Sequence, residues 1–317
     1  MGVSTVRSSD PVALFSSARA GDRSALARLL SMVERGGPEA RAVSALSHPL
    51  SGSAVTVGIT GAPGAGKSTL TSALIGCIRA ADEPVAVLAI DPSSPFTGGA
   101  ILGDRVRMSE HSLDTDVFIR SMATRGHLGG LSLAVPEASR LLDAVGMPWV
   151  LVETVGVGQV EVEIAGEADT TVVVVNPGWG DAVQANKAGL MEIADIFVVN
   201  KADRPGVQDT IGDIERMLSL RTRDGWRPPI ITTVATTGDG VEGLWQAMRD
   251  HGEWSVESGQ RVSRRAKRLE TELRRMLEVR LLERITDLSS GDRWTAALSA
   301  AASGQSDPWD AIDDLLS

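Results

Sequence analysis

The feature that most constrains this sequence is Gly-Ala-Pro-Gly-Ala-Gly-Lys-Ser at residues 61–68, which fits the pattern G-x-x-x-x-G-K-[ST]. It follows an apolar run at 55–59 and opens a helical pattern over 67–80, which is the strand–loop–helix context that the pattern requires. Glycines let backbone N–H groups turn towards phosphate oxygens, and a helix N-terminus adds positive potential. The chain is therefore predicted to bind a phosphate-bearing ligand.

Two side chains of this loop have specific expected roles. The Lys67 ammonium should reach the β- and γ-phosphates and take part in catalysis, and the Ser68 hydroxyl should ligate Mg²⁺. The predicted phosphate-binding residues are Gly61, Ala62, Pro63, Gly64, Ala65, Gly66, Lys67, Ser68 and Thr69.

Short apolar runs alternate with helical patterns over residues 51–252, which we interpret as a nucleotide-binding domain. Predicted strands lie at 55–59, 85–90, 117–119, 149–152, 171–175, 196–199 and 230–234, and predicted helices near 67–80, 130–145, 182–193, 208–220 and 241–251. Val/Ile-rich strands with little alternation are typical of strands that helices cover on both faces. The pattern predicts an α/β fold with a doubly wound, mainly parallel sheet.

The flanking segments read as helical only. Residues 1–50 form a predicted N-terminal helical extension, in which Asp10 and Pro11 begin the first helix. Residues 253–317 form a C-terminal helical arm with an apolar stripe that packs either on the chain's own core or on a partner. The stripe consists of Leu269, Leu273, Met276, Leu277, Leu281 and Ile285.

A second motif, Asn200-Lys201-Ala202-Asp203, follows the predicted strand 196–199. The Asp203 carboxylate can accept from N1–H and the exocyclic amine of guanine, whereas adenine presents the opposite pattern and would leave it unpaired. Lys201 should lie along the base, and Asn200 should tie this segment to the phosphate loop. The backbone N–H groups of Val234, Ala235 and Thr236 are expected to face guanine O6. The motif therefore predicts GTP specificity.

Carboxylates lie at the ends of other predicted strands. Asp91, Asp104 and Glu153 should face the ligand crevice at the carboxyl edge of a parallel sheet and hold Mg²⁺ with Ser68. We also expect Asp104 and Glu153 to take part in catalysis. Gly156 and Gly158 would let a loop approach the γ-phosphate. The sequence leaves open whether Gln159 orients water and whether His127 is functional.

Composition narrows the classes of partner. The net charge of −10 disfavours nucleic acid and anionic membranes as partners. The single Cys77 excludes an intrachain disulfide and a cysteine-cluster metal site. The N-terminal residues lack the apolar core of a signal peptide, and no apolar run reaches the roughly 18 residues of a spanning helix. We expect a soluble, cytoplasmic protein.

A string of further motifs resembles the MeaB/MMAA group of P-loop GTPases. These runs are Ile-Asp-Pro-Ser-Ser at 90–94, Ile-Leu-Gly-Asp-Arg-Val-Arg-Met at 101–108, Phe-Ile-Arg at 118–120, His-Leu-Gly-Gly at 127–130, and residues 152–159. The resemblance covers residues 10–285. The sequence departs from well-known members at 120–127, which lack a Pro- and Ser-rich stretch, and at Val160, where those members have Ser.

The resemblance implies a GTPase of the SIMIBI class that forms homodimers through its C-terminal helices. It implies a chaperone of adenosylcobalamin-dependent acyl-CoA mutases such as methylmalonyl-CoA mutase, in which GTP binding and hydrolysis gate cofactor delivery and protect the mutase. Adenosylcobalamin then belongs to the partner, and GTP, GDP and Mg²⁺ to this chain. A switch loop maps to residues 178–189 and includes Lys187.

We expect Lys187 to be catalytic. Only four of the 31 Lys and Arg residues are lysines, and Lys187 lies outside both the guanine and the phosphate motifs. If it approaches the phosphates when the partner docks, it would stabilise transition-state charge.

Two other functions stay open: a GTP-dependent nickel insertase, which usually has His-rich or Cys-rich ligand tracts, and a small-molecule kinase, which would not need N-K-x-D.

Overall fold

The structure of the chain, a computed structural model, describes residues 10–92, 109–111, 113–124, 130–154, 168–178, 192–219 and 225–317. The chain forms two compact units, Met1–Ala266 and Lys267–Ser317. The helices predicted from sequence are present except the one near 182–193, most of which lies outside the described residues. None of the helices within the described ranges combines the length and apolar character needed to cross a membrane.

Seven strands form one sheet in the first unit. They are β1 (Val55–Gly61), β2 (Val85–Pro92), β3 (Val117–Thr124), β4 (Trp149–Thr154), β5 (Thr170–Val175), β6 (Ile196–Asn200) and β7 (Ile230–Thr233). Their order across the sheet is β3-β2-β4-β1-β5-β6-β7, and every described pair is parallel. The predicted α/β fold with a doubly wound sheet is confirmed.

Helices cover both faces of this sheet. In the first unit they are α1 (Pro11–Arg19), α2 (Arg23–Arg35), α3 (Gly37–Ser47), α4 (Lys67–Ala80), α5 (Gly130–Ala144), α6 (Val207–Ser219) and α7 (Val241–Glu257). The next helix, α8 (Gln260–Leu288), continues into the second unit, which also contains α9 (Gly291–Ala302) and α10 (Pro308–Leu316).

Alternate side chains of β2 enter two different cores. Val85 and Val87 pack with α4, α6 and α7, whereas Ala86 and Leu88 pack with α1, α2, α3 and α5. Because successive side chains of a strand point to opposite faces, this division follows from strand geometry. The N-terminal helices thus close one face of the nucleotide domain and belong to its compact unit. As predicted, Asp10 caps α1 by accepting from the N–H groups of Val12 and Ala13.

Strand β3 is five residues longer than the sequence pattern indicates. The polar run that begins at Arg120 made the predicted strand end at residue 119. In the structure Arg120 continues the strand and pairs with Glu34 of α2, and it also donates to Ser31. A partner on a packed helix compensates the desolvation of the guanidinium, so the sheet can continue past a charge.

Opposite the phosphate loop, an aspartate–arginine cluster anchors the start of α8. Asp169 and Asp195 directly precede β5 and β6 and are 3% and 1% exposed. Arg264 contacts both Asp195 oxygens at 2.6 and 2.7 Å, and Arg265 contacts Asp169. These hydrogen bonds raise the pKa of both guanidinium groups. Paired forks of this kind fix α8 to the amino ends of two central strands.

His251 of α7 is fully buried beside this cluster. Its Nδ1 lies 2.8 Å from Thr170 Oγ1, its Nε2 lies 3.5 Å from Asp195 Oδ1, and Trp226 meets its ring edge-on at 4.9 Å. Burial lowers the pKa of His251 below its usual 6.5, although Asp195 partly opposes this effect. The folded chain therefore keeps His251 neutral at pH values at which the unfolded chain protonates it.

We predict that this histidine destabilises the fold as pH falls below 6.5, because the unfolded state then binds a proton that the folded state excludes. His251→Gln should reduce the loss of unfolding free energy between pH 7.5 and 5.5 by about 1 kcal/mol. Urea unfolding at both pH values measures it, with His48→Gln at an exposed histidine as the control. An unchanged pH dependence in His251→Gln would contradict the neutral histidine.

Candidate nucleotide-binding site

The phosphate-loop motif lies at the carboxyl edge of the sheet, between β1 and α4. Gly61 ends β1 at a φ of +139°, where a Cβ would meet the Val174 carbonyl oxygen at 1.9 Å. The next residue, Ala62, donates its N–H to that same oxygen at 3.1 Å. A side chain at Gly61 would displace the neighbouring strand, so this glycine is required by close backbone approach.

Lys67 is the first residue of α4, and its side chain curls back over the loop. Its Nζ donates to the carbonyl oxygens of Gly61 at 2.9 Å and Ala62 at 3.1 Å, and the residue is 7% exposed. Two carbonyl groups of the loop itself are therefore among the acceptors that hold the ammonium. A phosphate oxygen would offer it a charged acceptor in the same place.

Ser68 and Glu153 meet although they are 85 residues apart. The Ser68 hydroxyl donates to Glu153 Oε1 at 2.6 Å, and the two residues are 7% and 0% exposed. Parallel pairing causes this contact, because Glu153 of β4 lies in register with Ile59 of β1. A hydroxyl and a carboxylate are hard oxygen donors, so this pair fits the ligand chemistry of Mg²⁺.

The second motif packs directly onto the phosphate loop. Asn200 Nδ2 donates to the Ala65 carbonyl at 2.7 Å, and Lys201 Nζ donates to the Gly64 carbonyl at 2.6 Å. A Cβ on Gly66 would lie 2.6 Å from Asn200 Nδ2. The predicted tie between Asn200 and the phosphate loop is present. It requires a glycine at position 66, where φ is also +91°.

The segments expected to contact guanine lie beside this contact. Asp203 is exposed in the loop after β6. The Val234 N–H donates to the Asp239 carbonyl at 2.9 Å, and the Ala235 N–H donates to Asn200 Oδ1 at 3.1 Å. Within the described part of the chain the Thr236 N–H has no acceptor. Of the three N–H groups expected to face guanine O6, those of Val234 and Ala235 thus already have protein acceptors. The Thr236 N–H is the candidate donor that is left.

The remaining predicted site residues lie wholly or in their side chains outside the described part of the chain. Asp104, Gly156, Gly158, Gln159, His127 and Lys187 lie outside the described residues. Asp91 lies in β2 beside Ala123 of β3, and its side chain is outside the described part.

The sequence patterns miss one buried residue of this site, Thr233. It ends β7, is 1% exposed, and donates from Oγ1 to Asn200 Oδ1 at 3.0 Å. Its only signal in the sequence is its position, a polar residue at the end of the strand that follows the Asn-Lys-x-Asp motif.

Comparison with known proteins identifies the family. The family model described as Methylmalonyl Co-A mutase-associated GTPase MeaB matches residues 26–290. This chain belongs to the MeaB family. The resemblance to the MeaB/MMAA group inferred from the motifs is thereby confirmed, and the chain is a GTPase.

Relatives and a solved structure agree with the family. The chain is 48% identical over 300 residues to a Pyrococcus horikoshii protein named "Putative GTPase PH0274", and the match covers 93% of this chain and 94% of that one. It is 37% identical to GTPase ArgK of Escherichia coli, over 87% and 86% of the two chains. The mouse Methylmalonic aciduria type A homolog, mitochondrial, is 37% identical over 66% of this chain and 52% of its own length.

The crystal structure of a LAO/AO transport system kinase superposes on this MeaB-family chain with a TM-score of 0.70. That protein is 27% identical, and the match covers 96% of each chain. The likeness confirms the SIMIBI-type fold over nearly the whole length.

Proposed function

We propose that this MeaB-family GTPase is a chaperone that gates adenosylcobalamin loading of an adenosylcobalamin-dependent acyl-CoA mutase similar to methylmalonyl-CoA mutase, and protects that mutase. The observation that carries the proposal is the family match over residues 26–290, because the family is described as mutase-associated. The name of the mouse relative refers to methylmalonic aciduria, and this supports a partner similar to methylmalonyl-CoA mutase. Adenosylcobalamin is the partner's cofactor, and we propose that the pair acts in the cytoplasm.

The phosphate loop supports the GTPase part of this proposal. The Lys67 ammonium would exchange its bonds to the Gly61 and Ala62 carbonyls for bonds to the β- and γ-phosphates and stabilise charge in the transition state. Ser68 and Glu153 would hold Mg²⁺ with Asp91 and Asp104, and the bound ion would neutralise phosphate charge. We propose that Glu153 and Asp104 act in hydrolysis through this ion's site.

Base recognition is proposed to follow from the loop after β6. Its exposed carboxylate, Asp203, is open to the N1–H and exocyclic amine of guanine. The bond from Lys201 Nζ to the Gly64 carbonyl stretches the lysine's alkyl chain between the two loops, where a base would lie along it. The Thr236 N–H supplies the remaining donor, to guanine O6.

We also propose a homodimer formed through the C-terminal unit. Leu269, Leu273, Leu277 and Leu281 of α8 are 43–59% exposed in the single chain. In the unit Lys267–Ser317, which the structure describes throughout, the buried apolar side chains are Ala311 and Leu315. So small a core favours cover of the leucine stripe by a second copy.

Leu273→Glu with Leu277→Glu should weaken that dimer at least about tenfold, because two charges would enter an apolar interface. Sedimentation equilibrium measures it. Leu113→Glu, at a leucine that is 94% exposed in the first unit, is the matched control. A monomeric native chain, or a dimer of unchanged affinity in the double variant, would refute the interface.

If the partner is a mutase, it should specifically stimulate GTP hydrolysis by this chain. GTP turnover should rise when a purified adenosylcobalamin-dependent acyl-CoA mutase is added, but not with nickel or with small phosphoryl acceptors. Lys187→Ala should keep GTP affinity and slow intrinsic hydrolysis, yet lose roughly tenfold or more of the stimulation, since about 1.4 kcal/mol of transition-state stabilisation corresponds to a factor of ten.

Lys267→Ala, at an exposed lysine of the C-terminal unit, is the control for the lost charge. Stimulation by nickel alone would favour the insertase, and a phosphorylated acceptor would favour the kinase. Full stimulation in Lys187→Ala would reject the proposed role of Lys187, but it would still support the proposal that the partner is a mutase.

A further inference from the structure

Thr233 holds the side chain of Asn200 from behind the nucleotide site. Its hydroxyl donates to Asn200 Oδ1 at 3.0 Å, and the Ala235 N–H donates to the same oxygen at 3.1 Å. Thr233 and Asn200 are 1% and 2% exposed, so water does not compete for these bonds. Both donors act on one end of the amide.

This arrangement determines which way the amide faces. An asparagine amide has an accepting oxygen and a donating nitrogen, and the two ends look alike in shape. Two donors on one side keep the oxygen of Asn200 there, so Nδ2 must face the Ala65 carbonyl, 2.7 Å away. With the amide reversed, two oxygens would face each other at Ala65. The Ala235 N–H fixes this orientation, because it can only donate, and the Thr233 hydroxyl adds a second bond that holds the oriented amide in place.

The orientation of the Asn200 amide also determines how the Ala65–Gly66 peptide of the phosphate loop faces. In a planar trans peptide the C=O and the following N–H point in opposite directions. Since the Ala65 carbonyl faces Asn200, the Gly66 N–H faces away from Asn200, and within the described residues it has no protein acceptor. Outward-facing backbone N–H groups are what such a loop offers to phosphate oxygens.

We propose that Thr233 is a positioning residue for phosphate binding, acting through Asn200 on the Ala65–Gly66 peptide and not on the choice of base. The inference rests on the proposed assignment of residues 61–69 as the phosphate loop.

The backbone of Thr233 separates these two effects. Its carbonyl accepts from the Ala202 N–H at 3.0 Å, which attaches the segment that carries Lys201 and Asp203. A side-chain substitution removes the hydroxyl but leaves this backbone bond. Loss of the hydroxyl should therefore weaken phosphate binding while base selectivity is retained.

The experiment compares GDP with inosine diphosphate, which lacks the exocyclic amine of guanine, by calorimetry on the full chain. Thr233→Val should weaken binding of both by about three- to tenfold, the effect of one buried hydrogen bond, and their affinity ratio should stay within twofold. Thr233→Ser should restore GDP affinity. Thr232→Val is the control, because Thr232 is the exposed neighbour on the same strand.

Unchanged GDP affinity in Thr233→Val, a failure of Thr233→Ser to restore it, or a changed affinity ratio would each overturn the proposal. If the valine variant does not fold, Thr233→Ala removes the same hydroxyl and is measured in its place under the same criteria. Lys67→Ala tests the phosphate-loop assignment separately from the role of Thr233. If that variant binds GDP normally, the phosphate-loop assignment fails. If it loses GDP binding, the assignment holds and the Thr233 variants alone decide the role of Thr233.

Discussion

The hydrogen bond from Asn200 to the Ala65 carbonyl is the interaction on which the proposed nucleotide site depends. It joins the end of β6 to the loop after β1, two strands that β5 separates in the sheet. Parallel pairing brings both strand ends to one edge, and burial makes the bond strong enough to hold two loops in register. The neighbouring bond from Lys201 to Gly64 adds a second attachment. The segments proposed to bind phosphate and base therefore share one structural unit.

At the opposite edge of the sheet, buried ion pairs attach α8 to the amino ends of β5 and β6. Asp169 and Asp195 begin β5 and β6, and arginines from the first turns of α8 pair with them. Removing either partner would leave a buried charge unpaired, which is far more costly than the pair is stabilising. The same two strands lead to Asn176 and Asn200 at the nucleotide edge. Helix α8 thus begins against the strands that end at the proposed site.

The parts of the site that lie in contiguous motifs or at strand ends could be predicted from sequence, and the side-chain pairs outside those motifs could not. The loop at 61–68 is a contiguous motif, and the Ser68–Glu153 contact followed from strand ends that meet at one edge. Thr233 is 33 residues from Asn200, and no spacing rule connects them. The predicted strand 117–119 ends before Arg120, because the charge that compensates Arg120, Glu34, lies on another element. Such pairs become visible only when packing brings distant elements together.

The edge of the sheet at which the 61–68 and 200–203 motifs meet is proposed to be a guanine-specific site. Calorimetric titration of the purified chain with GTP and ATP, in the presence of magnesium, tests it most directly. GTP should bind at least about a hundredfold more tightly than ATP, and Asp203→Asn should weaken GTP binding by about 2–4 kcal/mol, because a charged acceptor is lost. Equal affinity for GTP and ATP in the native chain would contradict the assignment.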